Sequence, residues 1–326
     1  MAVGVRVRRK LSGLALEGLF KGVSALGRVH PKAKPEAHGL EVIRDVPYRD
    51  SDSPDHLLDV WRPVDRTEPL PVVLYIHGGG FRILSKDTHW IMATAYARRG
   101  MVVFNINYRL APKHPYPAGV EDALAALPWV VDHAAEYGGD PTRIVLAGES
   151  AGANLATVLA VATSYRRPEP AARAIIDREI RPRAVVPHCG LHQVSDTDRF
   201  RRRGKLRTFV TDRMDEIAID YFRGCGSMTP AERELADPLV ILERGELPAR
   251  PLPPFLLTVG TRDPILDDTR RLAAALERLG ADVDARYYLG EAHAFKAFVW
   301  RPNARKAWGH TYAFLNRTLG PVTHHS

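Results

Sequence analysis

A chain of 326 residues with 45% apolar and 26% charged residues has the composition of a soluble globular protein. That excludes a disordered or fibrous class and allows one large core. The net charge of +8 favours anionic surfaces weakly, but no nucleic-acid motif accompanies it and no nucleic-acid partner is expected.

Residues 1–30 place Leu16, Leu19, Phe20, Val23 and Leu26 on one face of an expected amphipathic helix. Glu17 and Lys21 disqualify this stretch as a membrane span and as a signal core. Its basic start, Arg6, Arg8, Arg9 and Lys10, is compatible with peripheral membrane contact through residues 1–30, although packing over the body of the same protein is the favoured reading.

From residue 39 the texture changes to short Val-, Ile- and Leu-rich runs bounded by Pro, Gly or Asp. Strands are expected near 41–47, 56–62, 72–77, 101–107, 143–148, 183–188, 254–260 and 285–290. The near-continuous apolar runs at 72–77 and 101–107 suit strands covered on both faces. Helical patterns at 120–137, 151–163 and 266–279 alternate with them, which signals βαβ units and a mostly parallel, eight-stranded central sheet flanked by helices. Residues 1–38 and 195–250 break the alternation. They are expected to form an N-terminal arm and a helical cap insertion on a catalytic domain spanning 39–326. Arg199, Arg201, Arg202, Arg203, Lys205 and Arg207 crowd one stretch of that insertion. Cys189 and Cys225 lack any CxxC or metal-ligand spacing, so free thiols in a reducing, cytoplasmic compartment are expected and a structural zinc is not.

Chemistry concentrates where strands end. GESAG, residues 148–152, lies between an apolar run and a helical pattern, the strand–turn–helix context that exposes a serine hydroxyl. HGGGF, residues 77–81, follows another strand, and consecutive glycines there let backbone N–H groups converge on a developing oxyanion. A serine nucleophile needs a base, and the base an orienting carboxylate. His293, His310, His324 and His325 follow the last strands; His293 stands directly after one and is preferred. Asp263 likewise follows a strand and is placed ahead of Asp267 and Asp268, which fall in a helical first turn where acids have an ordinary dipole-stabilising role.

HGGGF, the block YRLAPKHPYPAGVEDALAALPWV at 108–130, GESAG, the Asp-Pro of TRDPILDD and the His of EAHAF, in that order, resemble the hormone-sensitive-lipase branch of the α/β-hydrolases, the bacterial family IV esterases. The resemblance runs from about residue 72 to the C-terminus. It implies an α/β-hydrolase fold with Ser150 as nucleophile, His293 as general base and Asp263 as acid. The backbone N–H groups of Gly79, Gly80 and Ala151 would form the oxyanion hole, with Gly78 shaping the loop and His77 supporting it. Glu149 stands where many members carry Asp, and Lys113 where Glu is commoner.

The implied activity is hydrolysis of short- to medium-chain carboxylic esters, a small-molecule substrate handled without metal or organic cofactor. An amidase or deacetylase on the same site, an interfacial lipase and a non-catalytic ligand-binding protein are the alternatives. A homodimer is left open.

Overall fold

The computed structural model describes residues 30–202 and 208–320, together with Gly18, Gly22 and Gly27. The helix expected over residues 1–30 therefore lies outside the described residues except at Gly18, Gly22, Gly27 and His30, of which Gly27 meets the body. There an added Cβ would sit 3.2 Å from the Trp90 ring, so the arm runs against the body at that point.

Eight strands form one sheet: β1 (Leu40–Pro47), β2 (Leu57–Pro63), β3 (Leu70–Ile76), β4 (Val102–Ile106), β5 (Gly139–Glu149), β6 (Ala184–His188), β7 (Phe255–Gly260) and β8 (Val283–Tyr288). Their order is β1-β2-β4-β3-β5-β6-β7-β8. β1 and β2 are antiparallel, as are β2 and β4; every later pairing is parallel. Every residue of β3, β4, β6 and β7 is buried, as strands covered by helices on both faces must be. β8, at the sheet edge, is largely half-exposed.

Two boundaries differ from the sequence-based expectation for identifiable reasons. β5 begins at Gly139 rather than 143 because Gly139 and Asp140 pair with Leu70 and Pro71 before the register shifts at Val72. The pattern at 120–137 divides into an α-helix, Ala118–His133, and a 3-10 turn, Ala134–Tyr137, ended by Gly138 in the left-handed region.

Register fixes what meets at the C-terminal edge. Ile76 pairs with Gly148, Gly148 with Pro187 and Glu149 with His188. The glycine loop after β3, the serine turn after β5 and Cys189 after β6 consequently emerge side by side, and the loops after β7 and β8 join them.

The 108–130 block has a physical basis in Asp122, a fully buried carboxylate on the helix Ala118–His133. It accepts the Arg109 N–H at 2.8 Å and the Arg109 guanidinium at 2.9 Å. Arg49 Nη1 and His56 Nε2 approach the same carboxylate at 2.5 and 3.2 Å. One anion thereby ties the strand-end segment after β4, with its two cis prolines Pro112 and Pro117, to the helix and to the β1–β2 connection.

Within 195–250 the helices are Asp198–Arg202, Thr208–Tyr221 and Pro238–Glu243. The last turns its buried Leu239 and Leu242 toward the body, against the helices Leu266–Arg278 and Ala151–Ser164. The crowded arginines do not form a uniform basic face. Arg199 is buried on Asp268, Arg201 pairs with Asp215 and Arg202 with Asp196, while Arg203, Lys205 and Arg207 lie outside the described residues. No helix among the described residues is long and apolar enough to cross a membrane.

Removing the Asp122 carboxylate leaves the buried His56 and the half-buried Arg49 and Arg109 without their shared acceptor, so Asp122→Ala is expected to cost about 1–3 kcal/mol. A urea unfolding curve measures it; a midpoint equal to wild type would show that the carboxylate does not anchor this segment.

Candidate active site

β5 gives way to the helix Ala151–Ser164 at Ser150, whose backbone adopts φ 55° and ψ −113°. For a residue with a Cβ this conformation costs about 1–3 kcal/mol and persists only where its surroundings enforce it. Here the Ser150 N–H donates to His188 O at 2.9 Å, and Ser150 O accepts the Leu191 N–H at 3.3 Å. The sharp reversal also needs Gly152. A Cβ there would lie 2.0 Å from Ile76 O, because the helix start presses directly on β3.

Ser150 Oγ lies 3.0 Å from His293 Nε2, and His293 Nδ1 lies 2.9 Å from Asp263 Oδ2. Asp263 is buried, and its other carboxylate oxygen accepts the Ile265 N–H at 2.9 Å. Three hydrogen bonds zip the loops carrying His293 and Asp263 together: Thr261 N–H to Tyr288 O, Arg262 N–H to Glu291 O, and Gly290 N–H to Thr261 Oγ1. The His293 side chain is 35% exposed, open enough for a substrate to reach. Burial works against its charged form, but the facing Asp263 carboxylate outweighs this and holds its pKa well above the usual histidine value.

The other residues singled out in the sequence gather around this chain. Gly79 has φ 117° and Gly80 φ 61°, conformations that direct consecutive N–H groups to one side. Among the described residues, no protein acceptor takes the N–H of Gly79, Gly80 or Ala151. Ala151 also opens a 14-residue helix, whose positive dipole end faces the same point. Gly78 is close to the serine turn, since a Cβ on it would stand 3.0 Å from Glu149 O. Its N–H donates to His89 Nε2 at 3.2 Å. His77 is buried, stacked on Tyr108 at 4.4 Å, and its Nδ1 lies 2.6 Å from Gly78 O. Burial lowers its pKa to about 3, so the imidazole is neutral and works as a prop. Neither competing acid approaches His293. Asp267 pairs with Arg270, and Asp268 does more than the helix-dipole role expected of it: it is buried, bidentate with Arg199, and accepts the His192 and Gln193 N–H groups.

Sequence reasoning missed Cys189 and Lys296. The Cys189 sulfur lies within 4.8 Å of ligand atoms of both His293 and Asp263, and also of Glu149 and His188, so two three-residue groups have metal-compatible spacing. In the group that contains His293 both imidazole nitrogens are engaged in the serine–aspartate chain, and burial pushes the Cys189 thiol up to about 11, so the thiol is protonated near neutral pH. Lys296 is buried behind His293 with Nζ donating to Thr311 Oγ1 at 3.0 Å, and burial lowers its pKa to about 7. A charged residue three positions past the histidine carries no motif that announces its burial.

Above Ser150 opens a cavity of about 480 Å³ with a mostly apolar wall that includes Ile83, Met92, Met214, Ile217 and Phe298. The arrangement can deprotonate a serine as it attacks a carbonyl carbon and hold the resulting oxyanion on backbone donors.

A family model described as alpha/beta hydrolase fold matches residues 73–297. Carboxylesterase NlhH of Mycobacterium tuberculosis is 31% identical over 290 residues, covering 86% of this chain and 81% of that protein. Among solved structures, esterase LipW from Mycobacterium marinum superposes with a TM-score of 0.75 at 25% identity, covering 95% of this chain and 91% of that one. An esterase from the bacterial hormone-sensitive lipase family gives 0.68 at 28% identity, with 86% of each chain covered.

A Cβ at Gly79 would fall 2.0 Å from Ile83 O on a backbone that already disfavours it. Gly79→Ala is expected to lower kcat on an activated ester by about 10²–10³ while the circular dichroism spectrum stays native. An unchanged kcat would remove this loop from the oxyanion role.

Proposed function

We propose, for a chain that belongs to the α/β-hydrolase fold family and to its hormone-sensitive-lipase-like esterase branch, that Ser150, His293 and Asp263 form the catalytic triad and that the N–H groups of Gly79, Gly80 and Ala151 form the oxyanion hole. The enzyme is a carboxylic ester hydrolase. The observation that carries the assignment of residues is the continuous hydrogen-bonded chain from Ser150 Oγ through His293 to Asp263.

In the acylation step His293 Nε2 takes the Ser150 proton as Oγ attacks the ester carbonyl. The carbonyl oxygen becomes an oxyanion held by the three backbone donors. As the tetrahedral centre collapses, the C–O bond to the alcohol breaks and His293 returns the proton to the departing oxygen. Water, deprotonated by His293, then attacks the acyl-enzyme, and the acid leaves as Ser150 recovers its proton. Asp263 keeps the imidazole in the tautomer that leaves Nε2 free to accept, and it stabilises the imidazolium.

The 195–250 insertion acts as the cap. Its helix Thr208–Tyr221 supplies Met214 and Ile217 to the cavity wall, and the cavity volume suits short- to medium-chain acyl groups. The two buried free cysteines are consistent with a cytoplasmic site of action. Peripheral membrane contact through residues 1–30 would lie outside the described residues. The exposed Tyr287 and Leu289 at the β8 edge would serve a homodimer contact.

A panel of p-nitrophenyl esters of increasing chain length is expected to show maximal kcat/KM at short chains and loss of turnover in Ser150→Ala by about 10⁴ or more. Turnover retained in that variant would sink the nucleophile assignment. Because His293 must be neutral to accept the proton and its pKa is raised, kcat/KM should fall with decreasing pH through a midpoint above 6.5. A midpoint at or below 6.5 in the pH–rate profile would mean that Asp263 does not hold the charge assigned to it.

A further inference from the structure

The cavity that holds Ser150 is mostly apolar, with Thr88, His89, Glu149 and His293 as further polar residues in its lining. It also holds two arginines, Arg82 just past the glycine loop and Arg213 on the cap helix Thr208–Tyr221.

Arg82 is ion-paired to two carboxylates: its Nη2 donates to Glu216 Oε1 at 2.9 Å, and its Nε lies 2.8 Å from Asp220 Oδ2, though outside hydrogen-bond geometry. Arg213 is not. Its side chain is only 12% exposed, and Nη1 pairs with Glu216, which is already shared with Arg82. Arg213 Nε and Nη2 are buried and meet no acceptor among the described residues. These two nitrogens form the edge of the guanidinium along which two N–H bonds run parallel, the edge that matches the spacing of two carboxylate oxygens. Leaving two buried cationic donors unpaired is costly, so the position favours an incoming oxygen anion.

The placement sets the distance. Ile217, one helical turn after Arg213 on the helix Thr208–Tyr221, packs on the oxyanion loop, where a Cβ at Gly80 would come 2.8 Å from Ile217 Cδ1. Arg213 stands one turn back along the helix, about 6 Å of backbone rise from Ile217. A short acyl chain lying along this wall of the cavity, from the oxyanion loop past Ile217, would point its far end toward Arg213.

We propose that the preferred substrates are esters whose acyl chain ends in a carboxylate, half-esters of short dicarboxylic acids, with the free carboxylate held side-on by Arg213. This rests on the ester-hydrolase reading of the same site and narrows it to a substrate class. The net charge of +8 would assist by drawing anionic esters toward the protein.

The test compares mono-p-nitrophenyl glutarate with p-nitrophenyl pentanoate on wild type, Arg213→Met and Arg213→Lys. In wild type the ratio of kcat/KM values, anionic over neutral, should exceed one. It should fall by about ten-fold or more in Arg213→Met and be only partly restored in Arg213→Lys, which keeps the charge but loses the fork. Competitive inhibition of pentanoate hydrolysis by glutarate should weaken in parallel, a readout that does not depend on acyl transfer from the anionic ester. A ratio that Arg213→Met leaves within two-fold of wild type, with glutarate inhibition also unchanged, overturns the inference while the esterase reading stands. Failure of wild type to hydrolyse either ester overturns both. If Arg213→Met does not fold, the Arg213→Lys ratio and glutarate inhibition decide, an unchanged pair again counting against the proposal.

Discussion

The site depends on one strained residue held in place by close backbone approach. Ser150 cannot occupy its left-handed conformation unless the helix start can press against β3, and only glycine at 152 allows that contact. The same approach brings the glycine loop against the serine turn, with Gly78 beside Glu149 O. The proposed nucleophile and the proposed oxyanion donors therefore share one close backbone contact. The hydrogen bonds between the Asp263 and His293 loops tie together the other half of the chain.

Charge is distributed unevenly, with buried pairs in the body and partly exposed ones in the 195–250 insertion. Around the catalytic chain the charges are few and buried, and Asp122 locks the segment after β4 with partners from three directions. In the cap the ion pairs are numerous and partly exposed, as with Arg201 on Asp215 and Arg202 on Asp196, where water screens them and each contributes little. Arg199 is the exception. Its buried pairing with Asp268 pins the root of the cap to the helix that follows the Asp263 turn.

Much of the fold and the hydrogen-bonded chain was legible because each piece follows a strand, and strand ends can be read from apolar runs. Ser150, Asp263 and His293 each stand a few residues past such a run, and glycine is informative wherever a Cβ would collide. What stayed hidden depends on contacts distant in sequence. Nothing near Cys189 in the chain says that its sulfur will meet His293, more than a hundred residues later. Arg213 sits in a stretch so rich in charges that its half-satisfied state shows only once Glu216 and Arg82 are placed. The run of basic residues around Arg199 likewise gave no sign that Arg199 itself would be buried, since its partner, Asp268, was read as serving its own helix.

The packing of Ile217 on Gly80 joins the proposed cap to the proposed oxyanion loop. A substitution in the cap helix that widens the pocket also loosens a wall of the oxyanion loop. In this scaffold, selectivity and turnover therefore cannot drift independently, and a lineage that changes its substrate by remodelling this helix must re-tune its rate through the same residue.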